Sequence, residues 1–177
     1  MSRARRCWML LIIAAAVIGP DQLTKRLAIS ELKGDPVRSY AGDTLRVQYA
    51  ENTGAFLSLL SDWPDAVRFG VLTVANGLVL LGVVIFVLTR MQIDRWSFWA
   101  LALIVAGGVG NLIDRVAYDG VVIDFLNVGF GQARTGIFNI ADMAIMAGFF
   151  MLIAQMIWPA RFGGVDVAPA EVAASAS

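Results

Sequence analysis

The chain has 177 residues, 58% of them hydrophobic and only 16% charged, with a mean hydropathy of +0.70. An ordinary soluble domain is nearer to about half apolar and about a quarter charged, so this composition points to a membrane. Net charge is zero, which gives no reason to expect nucleic acid as a partner. Histidine is absent and Cys7 is the single cysteine. Imidazole bases, Ser-His and Cys-His mechanisms, most zinc sites and an internal disulfide are thereby excluded. Any chemistry must come from carboxylates, amides, hydroxyls, Lys or Arg, and neither a metal nor a cofactor is expected.

The N-terminal stretch RARRCWMLLIIAAAVIG opens on arginines and is apolar from Trp8 to about Ala28. It resembles a signal peptide as well as a first membrane span. The helical pattern continuing through DQLTKRLAI, beyond Pro20, favours the span. Cys7, beside the arginines, packs or faces lipid. In PDQLTK, Asp21 and Lys25 are four apart and share a helix face. They form either a local ion pair anchoring the helix end or a directly functional pair.

The segment from Ser30 to about Asp65 is polar. DTLRVQYAENTG places Leu45, Val47 and Tyr49 on one face, which predicts a short strand before an Asn-Thr-Gly turn and a small sheet on the membrane surface. Read alone, ENTGAF with Asn52 and Gly54 is a loop. Three further apolar runs follow: Ala66 to Leu88, Trp96 to about Ile113, and Phe138 to Trp158. All four runs approach the roughly 20 residues needed to cross a bilayer, and in lipid they should be helices because the backbone must satisfy its own hydrogen bonds. Ala106 with Gly110, and Ala144 with Gly148, would let the third and fourth helices approach neighbours closely. The tail RFGGVDVAPAEVAASAS lacks periodicity and reads as disordered. The expected organisation is one integral-membrane unit over 1–160, with a polar insertion at about 30–65, and a tail over 161–177.

Four spans put both termini on one side. Arg3, Arg5, Arg6, Arg90, Arg95 and Arg161 fall there, leaving eight of the 14 basic residues on the other. The arginines before the first span favour a cytoplasmic N-terminus. Apart from Asp94, Asp166 and Glu171, the acidic residues lie on the side opposite the termini or near the helix ends facing it.

Ionisable residues at membrane depth are functional candidates by default. Asn111 and Asp114 in GNLIDR are three apart, as are Asn139 and Asp142 in FNIAD, so each pair shares one helix face. The first pair ends the third span and the second opens the fourth, so both reach the same membrane surface. Capping a helix is the alternative role for Asn139 or Asp142. Asp114 lies where the helix dipole disfavours negative charge and needs a cation, with Arg115 or Arg134 as candidates. Asp119 precedes Gly120 and reads as a turn. Asp124 interrupts the apolar run VVIDFL, where partial desolvation would raise its pKa. Two carboxyls held close and sharing a proton can hydrolyse an amide, one activating water while its neutral partner hydrogen-bonds the carbonyl oxygen. A proton-linked transporter using the same carboxylates as relay sites is the alternative, and a non-enzymatic assembly factor a third. The absence of a two-fold repeat counts against the transporter.

DQLTK, ENTGAF, GNLIDR, VIDF and FNIAD occur in this order over roughly Ala14 to Trp158. Together they resemble the bacterial lipoprotein signal peptidase (signal peptidase II) family. The resemblance implies an all-α membrane protein of four transmembrane helices, with a small periplasmic β-sheet cradle and a short, mobile surface helix. It implies an aspartic endopeptidase of the inner membrane with its site near the periplasmic face. Such an enzyme removes signal peptides from diacylglyceryl-modified prolipoproteins, before the lipidated Cys, and is inhibited by the cyclic peptide globomycin. The family's catalytic pair falls on Asp124 and Asp142. Asn52, Gly54, Asn111, Asp114, Arg115, Asn139 and Ala141 match positions that line or support the site, and Asp21 and Lys25 match the first-helix motif. Glu51 and Ile123 vary from what many members carry. A monomer is expected.

Overall fold

The computed structural model describes residues 1–54, 64–90 and 93–162. Its first element, α1 (Arg3–Leu32), is 30 residues long, about 45 Å at 1.5 Å per residue and so longer than a bilayer core of about 30 Å. Ser2 caps it by accepting from the Arg5 N–H at 3.3 Å. Pro20 lies inside and does not end the helix. The chain then forms β1 (Arg38–Tyr40) and β2 (Leu45–Asn52). After it come α2 (Asp65–Phe69), a π-helical stretch Gly70–Ala75 and α3 (Asn76–Thr89). The last group is α4 (Arg95–Ala117), β3 (Val122–Phe130), β4 (Ala133–Arg134), α5 (Ile140–Ile157) and α6 (Pro159–Phe162).

Among the described residues, four helical stretches are long and apolar enough to cross a membrane: Arg3–Leu32, Gly70–Thr89, Arg95–Ala117 and Ile140–Ile157. Half of the apolar window of α4 is buried, against 17% in each of the others, so α4 is the central helix. Outward-facing Trp8, Leu11, Ile12, Leu78, Val79, Phe149 and Phe150 are all exposed. An apolar belt of that extent is stable in lipid and not in water; the protein is a multi-pass membrane protein. Cys7 is exposed on it.

Close packing of α4 on α5 depends on small residues. A Cβ on Gly148 would lie 2.4 Å from the Ala100 carbonyl oxygen, and one on Gly107 would lie 2.3 Å from that of Ala141. Ile13, Val87, Phe98, Ala102 and Ala106 form the core between α1, α3 and α4. At the terminal end, Arg6 is buried and donates to the carbonyls of Val87 (3.2 Å) and Arg90, closing the end of α3.

At the opposite end the strands form one antiparallel sheet in the order β1-β2-β3-β4. Ala28 and Leu32 of α1 pack on Ile123 and Phe125 of β3, seating the sheet on the helices. β2 was expected and β3 was not. Val122, Ile123, Asp124 and Phe125 are all buried, and a strand covered on both faces shows no alternation for sequence periodicity to catch. The fourth helix begins at Ile140 and not at Phe138, because Phe138 is extended and exchanges backbone hydrogen bonds with Leu126 (2.8 and 2.9 Å). Of the expected surface helix between Ser30 and Asp65, the described residues of that segment contain none, and residues 55–63 lie outside them. Arg161 and Phe162, expected in the tail, belong to α6, with Phe162 stacked on Trp96 at 4.4 Å. Residues 163–177 lie outside the described residues.

Candidate active site

The site forms where α1, α4 and α5 meet β2 and β3, at the end of the bundle that carries the sheet. Its foundation is Lys25, whose ammonium lies 2.8 Å from Asp21, 2.9 Å from Asp114 and 3.0 Å from the Asn111 Oδ1. Lys25, Asp21 and Asp114 are essentially fully buried. Isolated buried charges are very costly, and here each is paired and hydrogen-bonded. The remaining oxygens are satisfied as well. Asp21 Oδ1 accepts from the Ala141 N–H at 2.9 Å. Asp114 accepts from the Ile123 N–H at 3.1 Å and from Gln22 Nε2 at 2.8 Å. Asp21 thus joins α1 to the start of α5, while Asp114 joins α4 to β3.

Two consequences correct the sequence reading. The cation that Asp114 needs is Lys25, from another helix, whereas Arg134 is engaged with Asp43 and Asn127 on the sheet. Arg115 makes no ion pair with Asp114 and its Nε is buried without a hydrogen bond, although its charge interacts with Asp142, Asp114 and Asp124. The Asp21–Lys25 pair is no local interface anchor, since it holds three helices together.

Two amides stand between this foundation and the outer carboxyls. Asn111 Oδ1 accepts from Lys25 and from Asn139 Nδ2 (3.1 Å), and its Nδ2 donates to Asp142 at 2.7 Å. Asn139 caps α5: its Oδ1 accepts from the Asp142 N–H at 2.9 Å, and its own N–H donates to Asp142 Oδ2 at 3.2 Å. Its Nδ2 also donates to Asp124 Oδ1 at 2.6 Å and to the Ile123 carbonyl at 3.3 Å. The capping alternative is therefore realised, and the capping residue also reaches Asp124.

Asp124 lies on β3. Register places Ala50 opposite Asp124 and Asn52 opposite Val122, so Asn52 is its diagonal neighbour on the same sheet face. Asn52 Nδ2 donates to Asp124 Oδ2 at 3.0 Å, while Asn52 Oδ1 accepts from the Gly54 N–H at 2.9 Å. Gly54 has φ +84°, which only glycine adopts readily. Burial pushes the Asp124 carboxyl up to about 6 from 3.8; the bonds from Asn52 and Asn139 and the Lys25 charge oppose this, and Asp142 adds to it. Asp142 is only partly buried. Asn139 contacts both carboxyls, and the charge of Asp142 acts on Asp124.

Asp119 stands apart, exposed in a turn with φ +53°, as its Asp-Gly pair implied. Gln22 was missed, and nothing in its sequence context marks a residue that bridges Asp114 and the Gly110 carbonyl.

Three of four spans meeting around a buried ammonium, under a sheet that carries Asp124, define a membrane protein with an enzyme-like site. Two solved structures described as bacterial membrane enzymes share the fold. One has a TM-score of 0.70 at 27% identity, covering 84% of this chain and 92% of that one. The other has a TM-score of 0.71 at 27% identity, covering 86% and 89%. Residues 13–158 match the family described as Signal peptidase (SPase) II. A lipoprotein signal peptidase of Streptococcus pneumoniae is 33% identical, over 82% of this chain and 90% of its own. That of Psychromonas ingrahamii is 37% identical, over 82% of each chain. The chain belongs to the signal peptidase II family.

Proposed function

We propose that this protein is an aspartic endopeptidase that removes signal peptides from diacylglyceryl-modified prolipoproteins, with Asp124 and Asp142 as its catalytic pair. The observation that carries this reading is Asn139, which hydrogen-bonds both carboxyls, at 2.6 Å to Asp124 and 3.2 Å to Asp142. Asp142, more open to water and at the first turn of α5 where the helix end favours negative charge, takes a proton from water. Asp124, the more buried member, carries the shared proton and donates to the scissile carbonyl oxygen. The water oxygen adds to the carbonyl carbon. The tetrahedral adduct then collapses as a proton passes to the leaving amide nitrogen of the Cys, and the C–N bond breaks. Family membership favours this hydrolysis over the transporter and assembly-factor readings.

The substrate's lipid explains the site's depth. Each buried CH₂ of an acyl chain is worth about 0.8 kcal/mol, so the lipidated Cys stays at the interface and the carboxyls must meet it there. We place the protein in the bacterial inner membrane as a monomer, with cytoplasmic termini and the sheet on the periplasmic face. The N-terminal arginines support this orientation. The peptidase unit spans residues 1–160.

Purified protein should cleave a synthetic diacylglyceryl peptide before its Cys, and globomycin should inhibit it. Asp124→Asn and Asp142→Asn should remain folded and lose about 10²- to 10⁴-fold or more in rate. Wild-type cleavage by either folded variant rules out the assignment of the pair.

A further inference from the structure

The Lys25 ammonium hydrogen-bonds neither Asp124 nor Asp142, yet its charge acts on Asp124 and a single amide, Asn111, joins it to Asp142. The ammonium has three protons, and they are taken by Asp21, Asp114 and Asn111. An ammonium cannot accept a hydrogen bond, so the Asn111 atom facing it must be the carbonyl oxygen. That oxygen also receives Asn139 Nδ2. The Asn111 NH₂ is left with one direction, toward Asp142 Oδ1 at 2.7 Å. Turning this amide over would set NH₂ against an ammonium and oxygen against a carboxylate, two repulsive contacts in place of two favourable ones.

The second amide follows from the first. Since Asn111 presents oxygen, Asn139 must present its NH₂, which then also faces Asp124 at 2.6 Å. The Asn139 oxygen is turned to the Asp142 N–H. The buried cation and the Asp142 N–H therefore agree in turning the amides of Asn111 and Asn139 so that the carboxylate oxygens of Asp142 and Asp124 meet N–H.

We propose that Lys25 is a positioning residue for the hydrolysis: its charge fixes the Asn111 amide, and through it the Asn139 amide, so that both carboxyls meet N–H donors in a single arrangement. This rests on the reading of Asp124 and Asp142 as the reacting pair. The charged groups around the network are Asp21 from α1, Asp114 and Arg115 from α4, Asp124 from β3 and Asp142 from α5. Lys25 also acts directly on Asp124 through its charge. A merely structural Lys25, joining α1 to α4, would affect folding and leave the chemistry of folded molecules alone.

Lys25→Met, purified and shown folded by circular dichroism, is assayed on the lipidated peptide from about pH 5 to about pH 9, separating kcat from KM. The expected result is a kcat lower by about 10-fold or more, KM within about twofold, and a pH–rate profile moved to higher pH by about one unit, because a cation has been removed from the pair. A folded variant with wild-type kcat and an unmoved profile overturns the proposal.

Lys25→Met leaves two buried carboxylates unpaired, so Asn111→Asp provides a second test that retains Lys25 and offers it a third carboxyl. There the N–H facing Asp142 is replaced by an acceptor. The expected result is a folded protein whose kcat falls by about 10-fold or more at neutral pH and partly returns toward acid pH, as the new carboxyl gains a proton to donate. Wild-type kcat, or a loss that does not vary with pH, overturns the proposal. If instead Asp124→Asn and Asp142→Asn still cleave, the underlying pair assignment is what has failed.

Discussion

Asp124→Asn tests the electrostatics of the site without reference to catalysis. The Asp124 carboxyl is pushed up to about 6 from an ordinary 3.8, with burial as the largest cause. Folding therefore raises its proton affinity by about two units, equivalent to about 3 kcal/mol. Between those two pH values the folded state holds a proton that the unfolded chain has released, so stability falls as pH rises through the window. Below it Asp124 contributes no pH-dependent penalty, and above it the whole penalty is present. Asn does not titrate. It does lose one hydrogen bond, because an amide cannot accept from both Asn52 and Asn139 on two atoms, a constant difference of about 1–3 kcal/mol. The pH dependence of the difference between the two proteins is thus the informative quantity. Unfolding followed in the same detergent from about pH 4 to about pH 8 should show wild type losing up to about 3 kcal/mol relative to Asp124→Asn. A difference constant with pH, or wild type gaining on the variant as pH rises, refutes the buried, proton-holding Asp124.

Two further predictions concern packing and the turn. Gly107→Ala and Gly148→Ala each drive a Cβ into a backbone carbonyl of the facing helix and should destabilise the protein by about 1–3 kcal/mol, read as a lower melting temperature. Only at Gly107 is that carbonyl the one belonging to Ala141, next to Asp142, so folded Gly107→Ala should also lose cleavage while folded Gly148→Ala keeps it. Asp119→Gly relieves a positive φ at an exposed turn; it should leave cleavage unchanged and stability equal or up to about 1 kcal/mol higher. Loss of cleavage there refutes the turn reading.

What the sequence reveals of this fold depends on which elements face one solvent. The spans are legible because lipid demands long apolar helices, and their observed ends differ mainly where caps intervene, as at Asn139. β2 is legible because apolar Leu45, Val47 and Tyr49 alternate with polar Arg46 and Gln48 in its sequence, although Leu45 to Ala50 are all half-buried. β3 is not, since Val122 to Phe125 are buried on both sides. Recurrence of N-x-x-D in GNLIDR and FNIAD correctly marks one surface, but it pairs Asp114 with Asp142 by helical spacing alone. Three-dimensional structure separates the two roles: Asp114 neutralises Lys25 from beneath, and the carboxyl that couples to Asp142 comes from the sheet. No helical periodicity can announce a partner supplied by another kind of element. The Lys25–Asp114 pair was invisible for a related reason, because its members lie on different helices.

On the proposed mechanism, the unlike origins of Asp124 and Asp142 matter for the chemistry. A proton shared between identical environments has no preferred side, whereas acid–base work needs one group to hold it and the other to lack it. Here Asp142 lies in the first turn of a helix, where backbone N–H groups and the helix end stabilise negative charge. Asp124 lies on a strand buried on both faces, where negative charge is poorly solvated. Two carboxyls projecting from equivalent helix faces would have met similar surroundings. The strand therefore does more than cover the bundle, because it brings to the pair a carboxyl whose surroundings differ from those at a helix start. Asn139 spans that difference, capping the helix with its oxygen and giving its NH₂ to the strand's aspartate. Replacing Asn139 by Ala should accordingly cost about 1 kcal/mol as a lost cap, and folded enzyme should also lose cleavage. A variant destabilised to that extent but cleaving at the wild-type rate would show that the cap is all Asn139 provides.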